Sequence, residues 1–282
     1  MKILLLAALL AGVVLVASCG SIAFTVINVP AMFGDFDRRA DISYGTGPRQ
    51  RLDVYTPKGA ANRPIIVFWY GGAWDRGKKS QYRFVGASLA QSGYVAVLAD
   101  YRLYPEVKFP LFVQDGAQAL AWVVGHAKDI GGDPKRIFVA GHSAGAHLAA
   151  MLAYDRSQLT RAGLPPDTVR GLIGLSGPYA LDPNTDTYRA IFGAPFTPAD
   201  WQPVQLAKAG APPALLLHGE ADDVVYVSHA RKMAAALDAI GVKVTLRVYP
   251  DRGHRDTVAA FARPAPHKLP VLDEIRRFVD AN

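Results

Sequence analysis

A single cysteine, Cys19, excludes any disulfide within the chain and any cysteine-rich metal cluster. No His-Glu-x-x-His sequence is present to hold zinc, and no Gly-Lys-Ser/Thr sequence to cradle a phosphate. Neither metal nor nucleotide chemistry is therefore expected. Lys and Arg outnumber Asp and Glu by 31 to 24, but the basic residues occur as isolated pairs (Arg38-Arg39, Lys78-Lys79, Arg276-Arg277) and form no stripe that would follow a nucleic acid. The 20 prolines and 26 glycines are scattered, with no repeat, low-complexity block or linker. A chain of 282 residues, half of them hydrophobic, is long enough for one large core.

The N-terminal end has its own pattern. Lys2 precedes an apolar run from Ile3 to Ala17, followed by Ser18-Cys19-Gly20. The run is short of the about 20 residues that span a bilayer and suits the apolar region of a signal peptide. Val16-Ala17-Ser18-Cys19 resembles a bacterial lipobox. The expectation is a signal peptide over 1–18, lipidation of Cys19, and a protein tethered by acyl chains to the cell envelope outside the cytoplasm. Gly20 favours the outer membrane. An ordinary cleaved signal and an uncleaved anchor are the alternatives.

Residues 19–48 form a lead-in with no clear periodicity. Beyond it, apolar runs suited to strands buried on both faces alternate with helical patterns. Strands are expected at 51–55, 64–70, 94–99, 136–140, 171–176, 214–218 and 242–249. Helices are expected at 80–91, 113–127, 144–153, 227–240 and 269–279, with Gly93 and Gly241 at C-terminal stops. This alternation predicts an α/β domain over 49–282, with a mostly parallel central sheet flanked by helices. Residues 181–211 interrupt it as a short cap-like excursion. Its Tyr188, Phe192, Phe196 and Trp201 either line an apolar pocket or pack the excursion onto the body.

Gly141-His142-Ser143-Ala144-Gly145 follows the strand Ile137–Ala140 and opens a helix. That strand–turn–helix setting exposes a serine on a strained turn and presents the Ala144 N–H at a helix start. A serine hydroxyl needs a base, itself oriented by an acid. His254, on the loop after the last strand, suits the base, with His267 its main competitor. His126, His218 and His229 lie within strand or helix patterns. The acid belongs after the strand Leu215–His218, where Glu220, Asp222 and Asp223 compete. Gly71, Gly72 and Ala73, after the strand ending at Tyr70, expose backbone N–H groups that, with Ala144, form a candidate oxyanion hole. Tyr70, Trp74 and His142 are placed at the pocket wall. Asp100, Arg102, Asp115 and His147 read as structural polar residues.

With these pieces in place the chain resembles the α/β-hydrolase fold, in its hormone-sensitive-lipase and BD-FAE-like carboxylesterase branch. The marks are Tyr70-Gly71-Gly72-Ala73-Trp74, Asp100-Tyr101-Arg102-Leu103 with Pro105 and Pro110, Gly132-Asp133-Pro134, and the nine residues from Gly141 to Ala149. The resemblance implies hydrolysis of small to medium carboxylic esters through an acyl-enzyme, with a small ester as partner and no cofactor. It also selects Asp222, which holds the aspartate position of His-Gly-x-x-Asp-x-x-Val. The chain departs from the family at Tyr70, where a histidine usually braces the oxyanion loop. A polysaccharide deacetylase, an arylformamidase-like amidase and a catalytically silent binding module stay open as alternatives. Nothing in the sequence bears on oligomeric state.

Overall fold

The computed structural model describes residues 24–265 and 267–282. The expected signal peptide and Cys19 lie outside the described residues. Eight strands form one sheet: β1 (Phe36–Ser43), β2 (Arg51–Pro57), β3 (Arg63–Trp69), β4 (Val95–Ala99), β5 (Gly132–His142), β6 (Val169–Leu175), β7 (Ala214–Gly219) and β8 (Val244–Tyr249), in the order β1-β2-β4-β3-β5-β6-β7-β8. The pairs β1/β2 and β2/β4 are antiparallel, and the rest of the sheet is parallel. The longer helices α1 (Arg83–Gln91), α2 (Leu111–Gly125), α3 (Ala144–Tyr154), α4 (Ser228–Ala239) and α5 (Val271–Asp280) connect or follow the strands. The central strands are apolar because helices cover both faces: every residue of β4 and β7 is buried, as are six of the seven of β3.

The lead-in differs from the expectation, because it supplies β1, and the boundary at residue 49 falls after the first strand. β1 is exposed almost throughout, with no alternation to read. Ion pairs fix it to the sheet. Arg38 bonds the buried Asp53 carboxylate at 2.7 Å, and the buried Lys79 ammonium lies between Asp53, at 2.7 Å, and Asp41. Burial alone would raise the Asp53 pKa. Hydrogen bonds from Lys79, the Asp41 N–H and Arg38 outweigh it and hold the carboxyl below its ordinary value. Arg102 meets Asp115 in a separate ion pair, at 2.7 Å, and Asp115 also accepts from the Arg102 N–H and from Gln50.

The 181–211 excursion contains three short helices, Asp186–Phe192, Pro198–Trp201 and Pro203–Leu206. Phe192 and Trp201 are buried in the main core. Between the two expected roles for these side chains, that is the packing one. Tyr188 and Phe196 are only partly buried against the core.

Candidate active site

The carboxyl ends of the parallel strands bring the candidate residues together, and small residues make the close approach possible. Ser143 lies between β5 and α3 with φ 54 and ψ −123, a backbone conformation that costs a non-glycine residue about 1–3 kcal/mol. Its N–H is tied to the Leu175 carbonyl at 2.9 Å, and its own carbonyl accepts from Ala146 and His147. A Cβ on Gly145 would stand 2.0 Å from the Trp69 carbonyl oxygen, and one on Gly141 would stand 2.2 Å from that of Gly145. Only glycine fits either side of this elbow. The Ala144 N–H opens α3, where no carbonyl lies one turn back within the helix to accept it.

His254 Nε2 lies 2.9 Å from Ser143 Oγ, and His254 Nδ1 lies 2.8 Å from Asp222 Oδ2. Because the carboxylate can only accept, Nδ1 carries the imidazole proton and Nε2 is left to accept from the serine hydroxyl. Asp222 is buried. Its Oδ1 accepts from the N–H groups of Val224 and Val225, and His218 Nε2 stands 3.2 Å from Oδ2. Burial opposes ionisation of this carboxyl. The hydrogen bonds from His218, His254 and Val225 prevail and hold its pKa well below the usual carboxylate range. Asp223 is exposed.

The competitor His267 does not bond Ser143 and instead stiffens the loop that carries His254. Arg252 donates to His267 Nδ1, His267 Nε2 faces Asp256, and Asp256 accepts from the Gly253 N–H. His142, expected at the pocket wall, points behind the base. Its Nε2–H donates to the His254 carbonyl at 2.9 Å, and its Nδ1 is buried with no partner among the described residues. Burial, followed by the neighbouring His254, lowers the His142 pKa to about 3, so the ring is neutral. His147 ties the excursion to the body by donating from Nε2 to the Trp201 carbonyl at 2.7 Å. Burial lowers its pKa to about 4.

The loop after β3 lies against the nucleophile. A Cβ on Gly71 would fall 2.9 Å from Ser143 Cβ. Gly72, Ala73 and Trp74 follow with φ of 139, 50 and 61, three successive residues in a region that favours glycine. Trp74 is buried edge-on to His147, Tyr188 and Phe192, with ring centroids 5.1, 5.8 and 4.8 Å away. Tyr70 lies beneath the loop and does not form a pocket wall. It stacks on Tyr101 at 4.7 Å, and its hydroxyl accepts from Arg49 at 2.7 Å. Sequence reading missed Arg49, because it precedes β2 in a stretch without periodicity.

Comparison with known proteins accords with this geometry. The chain is 32% identical over 241 residues to the isoprenylcysteine alpha-carbonyl methylesterase ICME of Arabidopsis thaliana, covering 77% of this chain and 56% of that protein. It is also 32% identical to esterase LipC of Mycobacterium tuberculosis, covering 81% and 62%. The alignments thus span little more than half the length of these curated relatives. Among solved structures, esterase 2 of Thermogutta terrifontis phosphoramylated by tabun superposes with a TM-score of 0.72 at 26% identity, over 88% of this chain and 94% of that one. Esterase B of Lactobacillus rhamnosis, inhibited by a tributyrin phosphonate, superposes at 0.81 with 23% identity, over 98% and 94%, and so shares the α/β-hydrolase fold. The BD-FAE family model matches residues 52–237, from β2 through most of α4. The chain belongs to the BD-FAE family of α/β-hydrolase proteins.

Proposed function

We propose that this protein is a serine carboxylesterase that hydrolyses small to medium carboxylic esters through an acyl-enzyme on Ser143. The observation that carries the reading is the unbroken chain from Asp222 Oδ2 through the His254 ring to Ser143 Oγ, 2.8 and 2.9 Å long. As Ser143 Oγ attacks the ester carbonyl, its proton passes to His254 Nε2. Asp222 keeps the other imidazole proton on Nδ1 and stabilises the resulting cation. The backbone N–H groups of Gly72, Ala73 and Ala144 receive the negative charge that develops on the carbonyl oxygen, and Gly71 lets that loop approach the serine. The alcohol leaves with the proton from His254. Water then enters by the same route, and the acid is released. Supporting this reading, the relatives above are named as esterases.

The test is labelling with a fluorophosphonate followed by peptide mapping, alongside a series of p-nitrophenyl esters from acetate to octanoate. The expected result is a single adduct on the Ser143 peptide and the fastest turnover on the shorter esters. An unlabelled, folded protein with no ester turnover would overturn the reading.

Export and anchoring form a second part of the proposal: residues 1–18 act as a signal peptide, and Cys19 carries the lipid that holds the enzyme at the cell envelope. This rests on the sequence pattern alone. Among the described residues no helix is long and apolar enough to cross a membrane. Incorporation of radiolabelled palmitate in a bacterial host, abolished by Cys19→Ala, is the expected result. Equal labelling of both proteins, or of neither, would contradict it.

A further inference from the structure

We propose that Arg49 is a positioning residue for the oxyanion loop, clamping its two ends at the Tyr70 hydroxyl and the Gly77 carbonyl. The inference rests on the esterase reading above and assigns a role to a residue outside the triad.

The loop from Tyr70 to Gly77 is held in a costly shape. Ala73 and Trp74, neither of them glycine, adopt φ of 50 and 61, a strained conformation that persists only where the surroundings over-determine it. A loop that carries hydrogen-bond donors for a transient charge must keep them fixed before the charge forms. Some group outside the loop must supply that constraint.

Arg49 makes the required contacts. Its Nη2 donates to the Tyr70 hydroxyl at 2.7 Å, where the loop begins, and to the Gly77 carbonyl at 2.6 Å, where it ends. Its Nε donates to the Tyr101 carbonyl at 2.9 Å. Tyr101 completes the frame by stacking on the Tyr70 ring and donating its hydroxyl to the Tyr70 carbonyl at 3.0 Å. Just past the loop, the Lys79 N–H donates to the Asp100 carboxylate at 2.7 Å. Gly77 must be glycine, because a Cβ there would strike the Tyr70 ring at 2.7 Å. One planar guanidinium therefore grips the two ends of the loop and the strand-end segment beside it. The fork geometry matters, since a lysine ammonium is a point donor on a flexible stem.

This arrangement also accounts for the tyrosine at position 70. Its longer side chain carries the hydroxyl to the Arg49 fork, so the loop is braced from the segment ahead of β2.

The test compares wild type, Arg49→Met and Tyr70→Phe by steady-state hydrolysis of a short p-nitrophenyl ester and by the rate of fluorophosphonate labelling of Ser143. Arg49→Met should lower kcat by about 10–100-fold, below the full loss of a donor, with KM changed less than about twofold. Labelling should slow in parallel. Tyr70→Phe keeps the stacked ring and removes only the hydroxyl, so it should fold and lose about 3–10-fold in kcat. The double variant should be no worse than Arg49→Met, since both changes break the same contact. Millimolar guanidinium should restore part of the activity of Arg49→Ala but not that of Tyr70→Phe. If Arg49→Met fails to fold, Tyr70→Phe decides. Unchanged kcat in Tyr70→Phe, or an effect confined to KM, would overturn the assignment while leaving a Ser143-dependent wild-type esterase intact. A wild-type protein without Ser143-dependent hydrolysis would overturn both.

Discussion

Replacing Asp222 by Asn should abolish most activity while leaving the fold in place. Asp222 has four donors around it: the Val224 and Val225 N–H groups on Oδ1, and His254 Nδ1 and His218 Nε2 on Oδ2. An asparagine keeps one oxygen for the two backbone groups, so the turn after β7 survives. Its amide nitrogen then faces His254 Nδ1 across 2.8 Å, where two donors cannot meet. The imidazole proton moves to Nε2, toward Ser143 Oγ, and the base is lost in that tautomer. The expected fall in kcat is about 10⁴-fold, or about 5 kcal/mol of barrier. Asp223 is exposed, and Asp223→Asn should stay within about twofold of wild type, as surface substitutions usually do. The assay is p-nitrophenyl acetate hydrolysis on proteins whose circular dichroism and thermal midpoints are first compared. A folded Asp222→Asn that keeps more than about a tenth of wild-type kcat would contradict this role for Asp222. So would Asp223→Asn being the more damaging change.

Three further outcomes follow from the same geometry. Gly145→Ala places a methyl group 2.0 Å from the Trp69 carbonyl oxygen and 2.5 Å from that of Tyr70, and strand backbone cannot rotate away. Stability should drop by at least the about 1–3 kcal/mol of overpacking, measured by urea unfolding, and kcat should fall with it. His147 is fully buried, and its folded-state pKa of about 4 lies below its ordinary 6.5. The unfolded chain therefore takes up a proton that the folded one refuses, and stability declines as pH falls from about 6.5 toward 4, by about 1.4 kcal/mol per pH unit from this group. His147→Gln should remove that slope from urea midpoints taken between pH 6 and 4.5, and an unchanged slope would count against a buried neutral ring. Removing the Trp201 carbonyl's partner by His147→Leu should cost about 1–3 kcal/mol at pH 8, where no protonation is involved.

Much of this fold can be read from the sequence because its core strands are buried on both faces. Runs such as Pro64–Tyr70 and Leu215–His218 have no alternative use in a soluble domain. The elbow at Ser143 is legible for a similar reason, because its glycines are demanded by contacts of 2.0 and 2.2 Å. β1 was not legible. Long-range ion pairs of Arg38 with Asp53 and of Asp41 with Lys79 hold it, and these leave no local period. The same limit hid the support around the site. His142 is next to Ser143 in sequence, but the sharp turn directs its ring to the His254 carbonyl. His267 looked like a rival base and proves to brace the His254 loop through Arg252 and Asp256. Arg49 is 21 residues from Tyr70 and 28 from Gly77, and only tertiary packing reveals that it holds the loop between them.

Ser143→Ala tests most simply whether this serine is the nucleophile. The change removes one oxygen from a residue whose backbone is tied to Leu175, Ala146 and His147, so the protein should fold as before. With purified variant and wild type assayed side by side on a short p-nitrophenyl ester, turnover should fall to the non-enzymatic background or within about 10³–10⁴-fold of it, through the oxyanion donors that remain. A folded Ser143→Ala protein that hydrolyses the ester at the wild-type rate would contradict that role.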